Sequence, residues 1–312
     1  MEYFVQQCFT RIKAIVEPLG FKRDKKLFGR IINDVWQSFY IDIINRTKDY
    51  AVCRVGFEIS PLCRKLEYQW IFNTWVLELG EPLGRQQRDY WDYSRTSEES
   101  VNSCIDIIIE NISVRLIPLF EQAIDSKMAL NALCSVERKI CESIFKTPDI
   151  DVYWTYDNNK LYMALKHEDY NFILHTHEME ILIEKMSLES NRQSAIEHYG
   201  YPSFEPEKYN IPPIVVKNIR DKIAEYEKKA SKRISHNQTF IDILKARNNK
   251  EVQWELYRQL NDRAEKDGKP QLHPQDIIKL ICEQDEPQIR KQLEENEAYS
   301  REQLKRFIVQ KH

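Results

Sequence analysis

Residues 27–60 read LFGRIINDVWQSFYIDIINRTKDYAVCRVGFEIS, and this stretch decides the fold. Its first part predicts two strands that meet at Asn33–Asp34. Its second part alternates regularly, so that residues 51, 53, 55, 57 and 59 share one face and residues 50, 52, 54, 56 and 58 share the other. A period of two is typical of a half-buried strand. The stretch therefore predicts three consecutive strands.

Helical spacing of apolar residues lies on both sides of these strands. A first helix over residues 1–17 should stop near Pro18–Gly20, where Gly20 can adopt the left-handed conformation. Two further strand candidates lie in FNTWVLELGEPL (72–83) and RDYWDYS (88–94). Helical spacing then resumes over 97–124, with Ser97 or Ser100 as a cap and a kink or break at Pro118, and a second helix follows over about 127–145. Short connections favour antiparallel pairing, so residues 1–146 are predicted to be an α+β domain, an antiparallel sheet packed with helices.

The second half of the chain is predicted to be an all-helical domain, residues 147–312. Two segments share a plan of helix, short turn and helix, with turns at Glu168–Asp169 and Asn248–Asn249. Between them, GYPSFEPEKYNIPPI (200–214) contains four of the twelve prolines and predicts an extended connector. Residues 274–312 predict two short charged helices.

The composition limits the class of protein. The chain has 312 residues, a formal net charge of −3 and 42% hydrophobic residues, so it can bury a core. A dedicated nucleic-acid binder is usually basic overall, which this chain is not. The seven cysteines are scattered at irregular spacings and predict reduced thiols of a cytoplasmic protein. No signal peptide and no membrane span are expected.

One basic stretch, EPLGFKRDKKLFGR (17–30), is a candidate for binding a partner. Its four clustered cations are Lys22, Arg23, Lys25 and Lys26, interrupted by Asp24. Three interpretations stay open: a solvated loop between helix and strand, a surface for a partner protein, or a patch for nucleic acid.

A second candidate combines arginine with aromatic side chains. Its residues are Arg88, Tyr90, Trp91 and Tyr93. These residue types dominate the energetics of protein interfaces, and they can also stack on RNA bases. The remaining interpretation is a sheet edge whose aromatic rings point inward.

The weak metal candidate is HTHE, with His175, His177 and Glu178. On a strand the two histidines would share a face, but the surrounding apolar pattern predicts a helix, on which they point about 200° apart. Glycine-rich phosphate loops and a GxSxG elbow are absent from the sequence. No cofactor is therefore predicted, and a protein without enzymatic activity is favoured over an enzyme.

The segment FTRIKAIVEPLGFKRDKKLFGRI resembles the start of a bacterial family catalogued as domain-of-unknown-function family 4304. The matching residues are Leu19, Gly20, Phe21, Lys22, Phe28 and Arg30. The resemblance covers residues 5–145 and implies no activity. It implies a domain like the small bacterial proteins beside toxin genes, some of which bind and neutralise a toxin. The expected function is therefore a protein-interaction module of the immunity type. The alternatives are a nucleic-acid-binding or defence-associated protein and, third, a metal-dependent enzyme.

Overall fold

The computed structural model of the chain describes residues 2–66, 74–75, 91–145, 158–266 and 275–308. Its strands are β1 (Lys22–Asp24), β2 (Leu27–Ile32), β3 (Val35–Asn45), β4 (Tyr50–Pro61), β5 (Thr74–Trp75) and β6 (Trp91–Ser94). Its α-helices are α1 (Glu2–Val16), α2 (Glu98–Asn111), α3 (Ile117–Gln122), α4 (Ser126–Phe145), α5 (Asn158–Lys166), α6 (Tyr170–Glu197), α7 (Pro213–Lys245), α8 (Lys250–Lys266), α9 (Gln275–Glu283) and α10 (Glu286–Gln303). The predicted α+β class is confirmed, with the sheet in the N-terminal part and helices after it.

The strand register is marked by a row of phenylalanines. All described strand pairs are antiparallel, β1 to β4 lie in sequence order, and β5 and β6 both pair with β4. Phe28 lies opposite Phe39, and Phe39 lies opposite Phe57. The rings of Phe28 and Phe39 stack with centroids 4.9 Å apart. A slip of one residue would move these rings to the opposite face, so the row fixes the register.

Helices cover the face that carries this row. Phe9 of α1 lies over Phe28, with ring centroids 5.8 Å apart, and Phe120 of α3 lies 6.4 Å from Phe57. The alternate residues of β4 from Ala51 to Ile59 are buried on the same side, as their spacing predicts. Burial of each large side chain contributes about 1.5–3 kcal/mol, so this face is the main core.

The opposite face of the sheet is also covered. Its central side chain is Trp36 of β3, whose ring centroid lies 4.9 Å from that of Phe307. The cluster around this pair contains Leu27, Ile31, Leu62, Leu66 and Leu304. Ile308 forms an isolated parallel bridge with Ile31. We call residues 304–308 the tail segment.

The prediction that β4 is half-buried therefore holds only in part, because Tyr50, Arg54 and Glu58 are partly exposed but the residues between them on the same face are buried. Val52 and Ser60, on the face expected to meet solvent, are 1% and 0% exposed. The hydroxyl of Ser60 donates a hydrogen bond to the side-chain oxygen of Asn159 in α5, at 3.1 Å. The alternating pattern predicts which residues pack against the helices next to β4 in the sequence. It does not predict that residues far along the chain also cover the other face.

The turn after α1 is built as the sequence predicts, and Arg30 holds it. Gly20 has φ +86°, and its N–H donates to the carbonyl of Glu17. Phe21 is buried in the core. The guanidinium of Arg30 donates to the carbonyl of Leu19 at 2.5 Å and lies 4.5 Å from the ring of Phe21. Four of the six residues that carry the family resemblance therefore form one structural unit: Leu19, Gly20, Phe21 and Arg30.

The regular α-helix is interrupted immediately before Pro118, where a kink or break was predicted. A π-helical turn over Ile112–Leu116 joins α2 to α3 and precedes the proline. A π turn shifts the main-chain hydrogen bonds by one residue, which accommodates a residue without an N–H. Ser97 is the predicted cap of α2, because its hydroxyl accepts a hydrogen bond from the N–H of Ser100.

The described residues divide into two compact units. The first unit contains the described residues up to 145 together with 158–168 and 286–308, and the second contains those between Asp169 and Asp285. In the second unit α6 packs on α7, α7 on α8 and α8 on α9. The turns predicted at Glu168–Asp169 and Asn248–Asn249 are confirmed. The predicted domains, 1–146 and 147–312, are segments that would fold independently. Compact units defined by contacts do not test independent folding, so this division stays a prediction.

Candidate partner-binding surface

The basic stretch forms a β-hairpin at one edge of the sheet. Lys22 pairs with Gly29 and Asp24 with Leu27, which leaves Lys25 and Lys26 as a two-residue turn. Lys25 has a positive φ of 53°. The expected loop between helix and strand is thus partly a strand, because main-chain pairing begins immediately after Phe21. Three residues are too few for an alternating pattern to show.

Two of the hairpin cations are positioned by contacts that do not neutralise their charge. The Nε of Arg23 donates to the carbonyl of Lys25 at 2.8 Å, and its guanidinium lies 4.2 Å from the ring centroid of Phe9. The ammonium of Lys26 lies 5.9 Å from the ring of Tyr40. Carbonyl and ring contacts orient a cation without neutralising it.

The hairpin borders a surface depression of about 480 Å³. Four cations and two carboxylates line it: Lys13, Lys22, Arg23 and Lys25 with Glu17 and Asp24. Lys13 and Glu17 pair with each other at 3.2 Å. Among the described residues, Lys22, Arg23 and Lys25 have no carboxylate within ion-pair distance. The depression therefore offers positive charge to an anionic group.

A purely structural role can also account for part of this pattern. β1 is a short strand at the edge of the sheet, and edges of this kind carry lysine and arginine because charge opposes pairing with another chain. That role explains the charge of β1. It does not explain why Arg23 is fixed by two separate contacts.

The arginine and aromatic candidates are divided by the structure. Arg88 and Tyr90 lie outside the described residues. Trp91 is half-buried on β6, opposite Cys53. Tyr93 is 2% exposed and stacks on Phe4 with ring centroids 4.3 Å apart, so its ring belongs to the core and cannot contact a partner. Burial and the nearby Cys53 thiol raise the pKa of Tyr93 to about 12.

The two candidate surfaces lie at opposite edges of the sheet. The hairpin is at the β1 edge, while Trp91 belongs to β6 on the far side of β4. Four strand spacings separate these edges, which is roughly 19 Å of sheet width. The structure therefore does not bring Trp91 together with Lys22, Arg23, Lys25 and Lys26.

The predicted helix around HTHE is confirmed, and it separates the two histidines. His175 is partly exposed and lies 3.7 Å from a carboxylate oxygen of Glu178. His177 is fully buried, and its Nδ1 lies 2.9 Å from the side-chain oxygen of Asn237. Within the described ranges, no group of three histidine, cysteine or acidic side chains could hold a metal ion. The HTHE motif therefore supplies a surface pair and a buried histidine rather than a shared ligand set.

A polar network in the first unit has no counterpart among the sequence predictions. The hydroxyl of Ser126 donates to Asp34 at 2.5 Å and lies 2.9 Å from Nε2 of His167. Lys166 bridges the carboxylates of Asp34 and Glu297, each at 2.8 Å. Burial raises the pKa of Asp34, but hydrogen bonds from Lys166 and Ser126 outweigh it, so that the pKa falls below its usual value.

This network does not have the order of a hydrolytic triad. A triad places histidine between serine and aspartate, so that histidine takes the serine proton. Here Ser126 lies between the other two, its proton is directed at Asp34, and it is 0% exposed. We therefore assign the network a structural role. Only tertiary contact brings its members together, so no local signal predicts it.

Comparison of the chain with protein-family models, with curated proteins and with solved structures gives no match. No helix in the described ranges is both long enough and apolar enough to cross a membrane.

Proposed function

We propose that the protein is a non-enzymatic binding module that docks a partner protein on the hairpin surface, which comprises Lys22, Arg23, Lys25 and Lys26. The observation that carries the proposal is the fixed position of Arg23, between the ring of Phe9 and the carbonyl of Lys25. A cation that is already oriented loses little side-chain entropy when it binds, so it favours association.

The described polar clusters support a role without catalysis. Ser126 is buried and committed to Asp34, and His177 is buried beside Asn237. Burial raises the pKa of four thiols to about 12, so these thiols stay protonated and are poor nucleophiles: Cys8, Cys63, Cys104 and Cys282.

The more specific form of the proposal is an immunity-type inhibitor that acts in the cytoplasm on a bacterial toxin. The resemblance to family 4304 supports this form. Five cysteines that are buried as free thiols support a reducing compartment: Cys8, Cys53, Cys63, Cys104 and Cys282. Trp91, at the other sheet edge, stays a second proposed contact together with Arg88 and Tyr90, which lie outside the described residues.

The test is an affinity pull-down of the tagged protein from lysate of its source organism, with and without nuclease. The variant is Lys25→Glu, which reverses the charge of an exposed turn residue. The matched control is Lys291→Glu, an exposed cation on α10 whose side chain is 77% exposed. We expect one near-stoichiometric protein with wild type and with the control, and at least about tenfold less with Lys25→Glu.

Each other result has a definite meaning. Equal recovery by Lys25→Glu would reject the hairpin as the docking surface. A heterogeneous set of proteins that nuclease removes would favour nucleic-acid binding, which should also weaken steeply with salt. An empty wild-type pull-down would count against the interaction module.

A further inference from the structure

The acidic residue inside the basic stretch has a partner from the tail segment. Asp24 forms an ion pair with Arg306, with Oδ2 and Nη2 2.7 Å apart. In the sequence, Asp24 interrupts the run of cations. In the folded chain its charge is compensated by an arginine from the other end of the sequence.

The position of Arg306 is set by its neighbours in the chain. Leu304 and Phe307 are 2% and 1% exposed in the cluster around Trp36. Ile308 bridges Ile31 on the β2 edge. Anchors on both sides of Arg306 fix its backbone, so the ion pair with Asp24 does not depend on a loose segment.

The tail segment also orients a hairpin cation. The ammonium of Lys22 donates to the carbonyl of Ile308 at 3.0 Å. A carbonyl leaves the ammonium charged, and the other two donors of the ammonium can serve a ligand. The tail segment therefore affects two positions that border the depression, Lys22 and Asp24.

These contacts change the charge that a partner meets. Lys13 and Glu17 compensate each other, and Arg306 compensates Asp24. Within the part of the chain that the structure describes, Lys22, Arg23 and Lys25 then act as three cations without an opposing acid. With Arg306 removed, Asp24 would present more of its negative charge to the depression that it lines.

We infer that the tail segment completes the binding surface, with Arg306 masking Asp24 so that Lys22, Arg23 and Lys25 receive a carboxylate-rich segment of the partner protein. The inference rests on the proposed function and names the chemistry of the partner. Three cations over a small area, on a chain of net charge −3, suit a short acidic segment better than a long nucleic-acid backbone.

The experiment measures binding of a fluorescein-labelled glutamate homopolymer to the full chain by anisotropy at an ionic strength of about 0.1 M, where the Debye length is about 10 Å. The variants are Arg306→Gln, Asp24→Asn and the two combined. We expect Arg306→Gln to raise Kd about fivefold, Asp24→Asn to lower it, and the double variant to return within about twofold of wild type. Masking predicts that Arg306→Gln raises Kd less in the Asp24→Asn background than in wild type, whereas direct contact by Arg306 predicts an equal rise in both backgrounds.

The control variant is Lys291→Gln, which removes a cation about 18 Å along α10 from the end of the helix that precedes the tail segment. It should change Kd by less than about twofold, because charges beyond a Debye length are screened. The side chain of Arg306 is 52% exposed, so Arg306→Gln should fold, and Asp24→Asn tests the same pair without altering the tail segment.

The outcomes separate the two levels of the proposal. If wild type binds the homopolymer and Arg306→Gln binds equally, or if the double variant stays weak, the masking role is overturned and the proposed function stands. If wild type binds a single-stranded oligonucleotide but not the homopolymer, the carboxylate-rich partner is overturned. If wild type binds neither probe, the proposed function of the hairpin fails as well.

Discussion

At position 29 the sheet admits only glycine without rearrangement. A Cβ atom there would lie 2.1 Å from the ring of Trp36, on the neighbouring strand. We expect Gly29→Ala to lower the free energy of unfolding by about 2 kcal/mol, because a well-packed face must shift to admit the methyl group. Urea unfolding measures the loss.

The control for this prediction is a double-mutant cycle with Trp36→Phe. A smaller ring leaves room for the methyl group, so the two losses should sum to more than the loss in the double variant. Strict additivity would show that contact with Trp36 is not the reason for glycine.

A buried histidine makes the second unit sensitive to acid. Desolvation, together with the nearby His236, lowers the pKa of His177 to about 4, although the bond to Asn237 opposes the shift. The unfolded chain therefore binds a proton between about pH 6.5 and pH 4 that the folded chain does not bind. The contribution of His177 to stability is complete above about pH 6.5 and falls as the pH decreases, by at most about 1.4 kcal/mol per pH unit.

We expect the free energy of unfolding of this unit to fall by about 2 kcal/mol between about pH 7 and pH 5 through His177 alone. The variant His177→Gln should lose most of that pH dependence, whereas His175→Gln, at a partly exposed position, should keep it. Urea unfolding at the two pH values measures both slopes. Equal slopes in wild type and His177→Gln would contradict the assignment.

Arg30 is a residue whose role could not be predicted from the sequence. It closes the basic stretch, but it is 6% exposed, and its Nε donates to the side-chain oxygen of Gln37 at 2.8 Å. Charge composition cannot distinguish this arginine from Lys25, because burial depends on Gln37 and on the carbonyl of Leu19. The fold was therefore needed to decide which cations of the basic stretch lie on the surface.

Among the elements, the tail segment contributes stability as well as charge. Phe307→Ala should destabilise the first unit by about 3 kcal/mol, since it leaves a cavity beside Trp36. Lys305→Ala in the same segment, with a side chain that is 69% exposed, should change stability by less than about 0.5 kcal/mol. Thermal and urea unfolding compare the two variants. A loss for Phe307→Ala as small as that for Lys305→Ala would show that the segment is only loosely attached.

Long elements were predictable from the sequence, and short ones were not. The alternation of β4 and the helical spacing of α1, α4 and α7 extend over enough residues to show their periods. β1 has three residues, and the π turn before Pro118 has no sequence signature of its own. Elements that depend on tertiary pairing, such as the bridge at Ile308, give no local pattern.

At the scale of the whole molecule, the second unit is an insertion between segments of the first. Glu168 and Arg290 flank this insertion and form an ion pair at 2.5 Å, so the first unit is continuous in space across the insertion point. We expect a chain in which residues 169–285 are replaced by a flexible linker to fold and to unfold cooperatively, as a unit with its own core does.

The matched variant is a chain that ends at residue 285 and therefore lacks α10 and the tail segment. It should lose cooperative unfolding, because Trp36 and its cluster lose their cover. Circular dichroism and urea unfolding test both chains. Cooperative unfolding of the chain that ends at 285 would show that α10 and the tail segment are not needed for the first unit to fold.

The predicted boundary near residue 146 followed a change in local composition. Membership of α5 and α10 in the first unit depends on contacts such as that between Asn296 and the carbonyl of Cys63, at 3.0 Å. Such contacts join residues far apart in sequence. Composition therefore indicates where helices begin to dominate, but it does not indicate which helices return to the sheet.

The placement of Phe307 on Trp36 has a consequence for synthesis of the chain. About 270 residues separate the two, so at ribosomal speeds roughly 14–54 s pass between their appearances. During that interval the indole and its aliphatic neighbours are exposed to solvent on a nascent chain. A chaperone that binds apolar surface should therefore associate with ribosomes that translate this message and dissociate only after the tail segment has emerged.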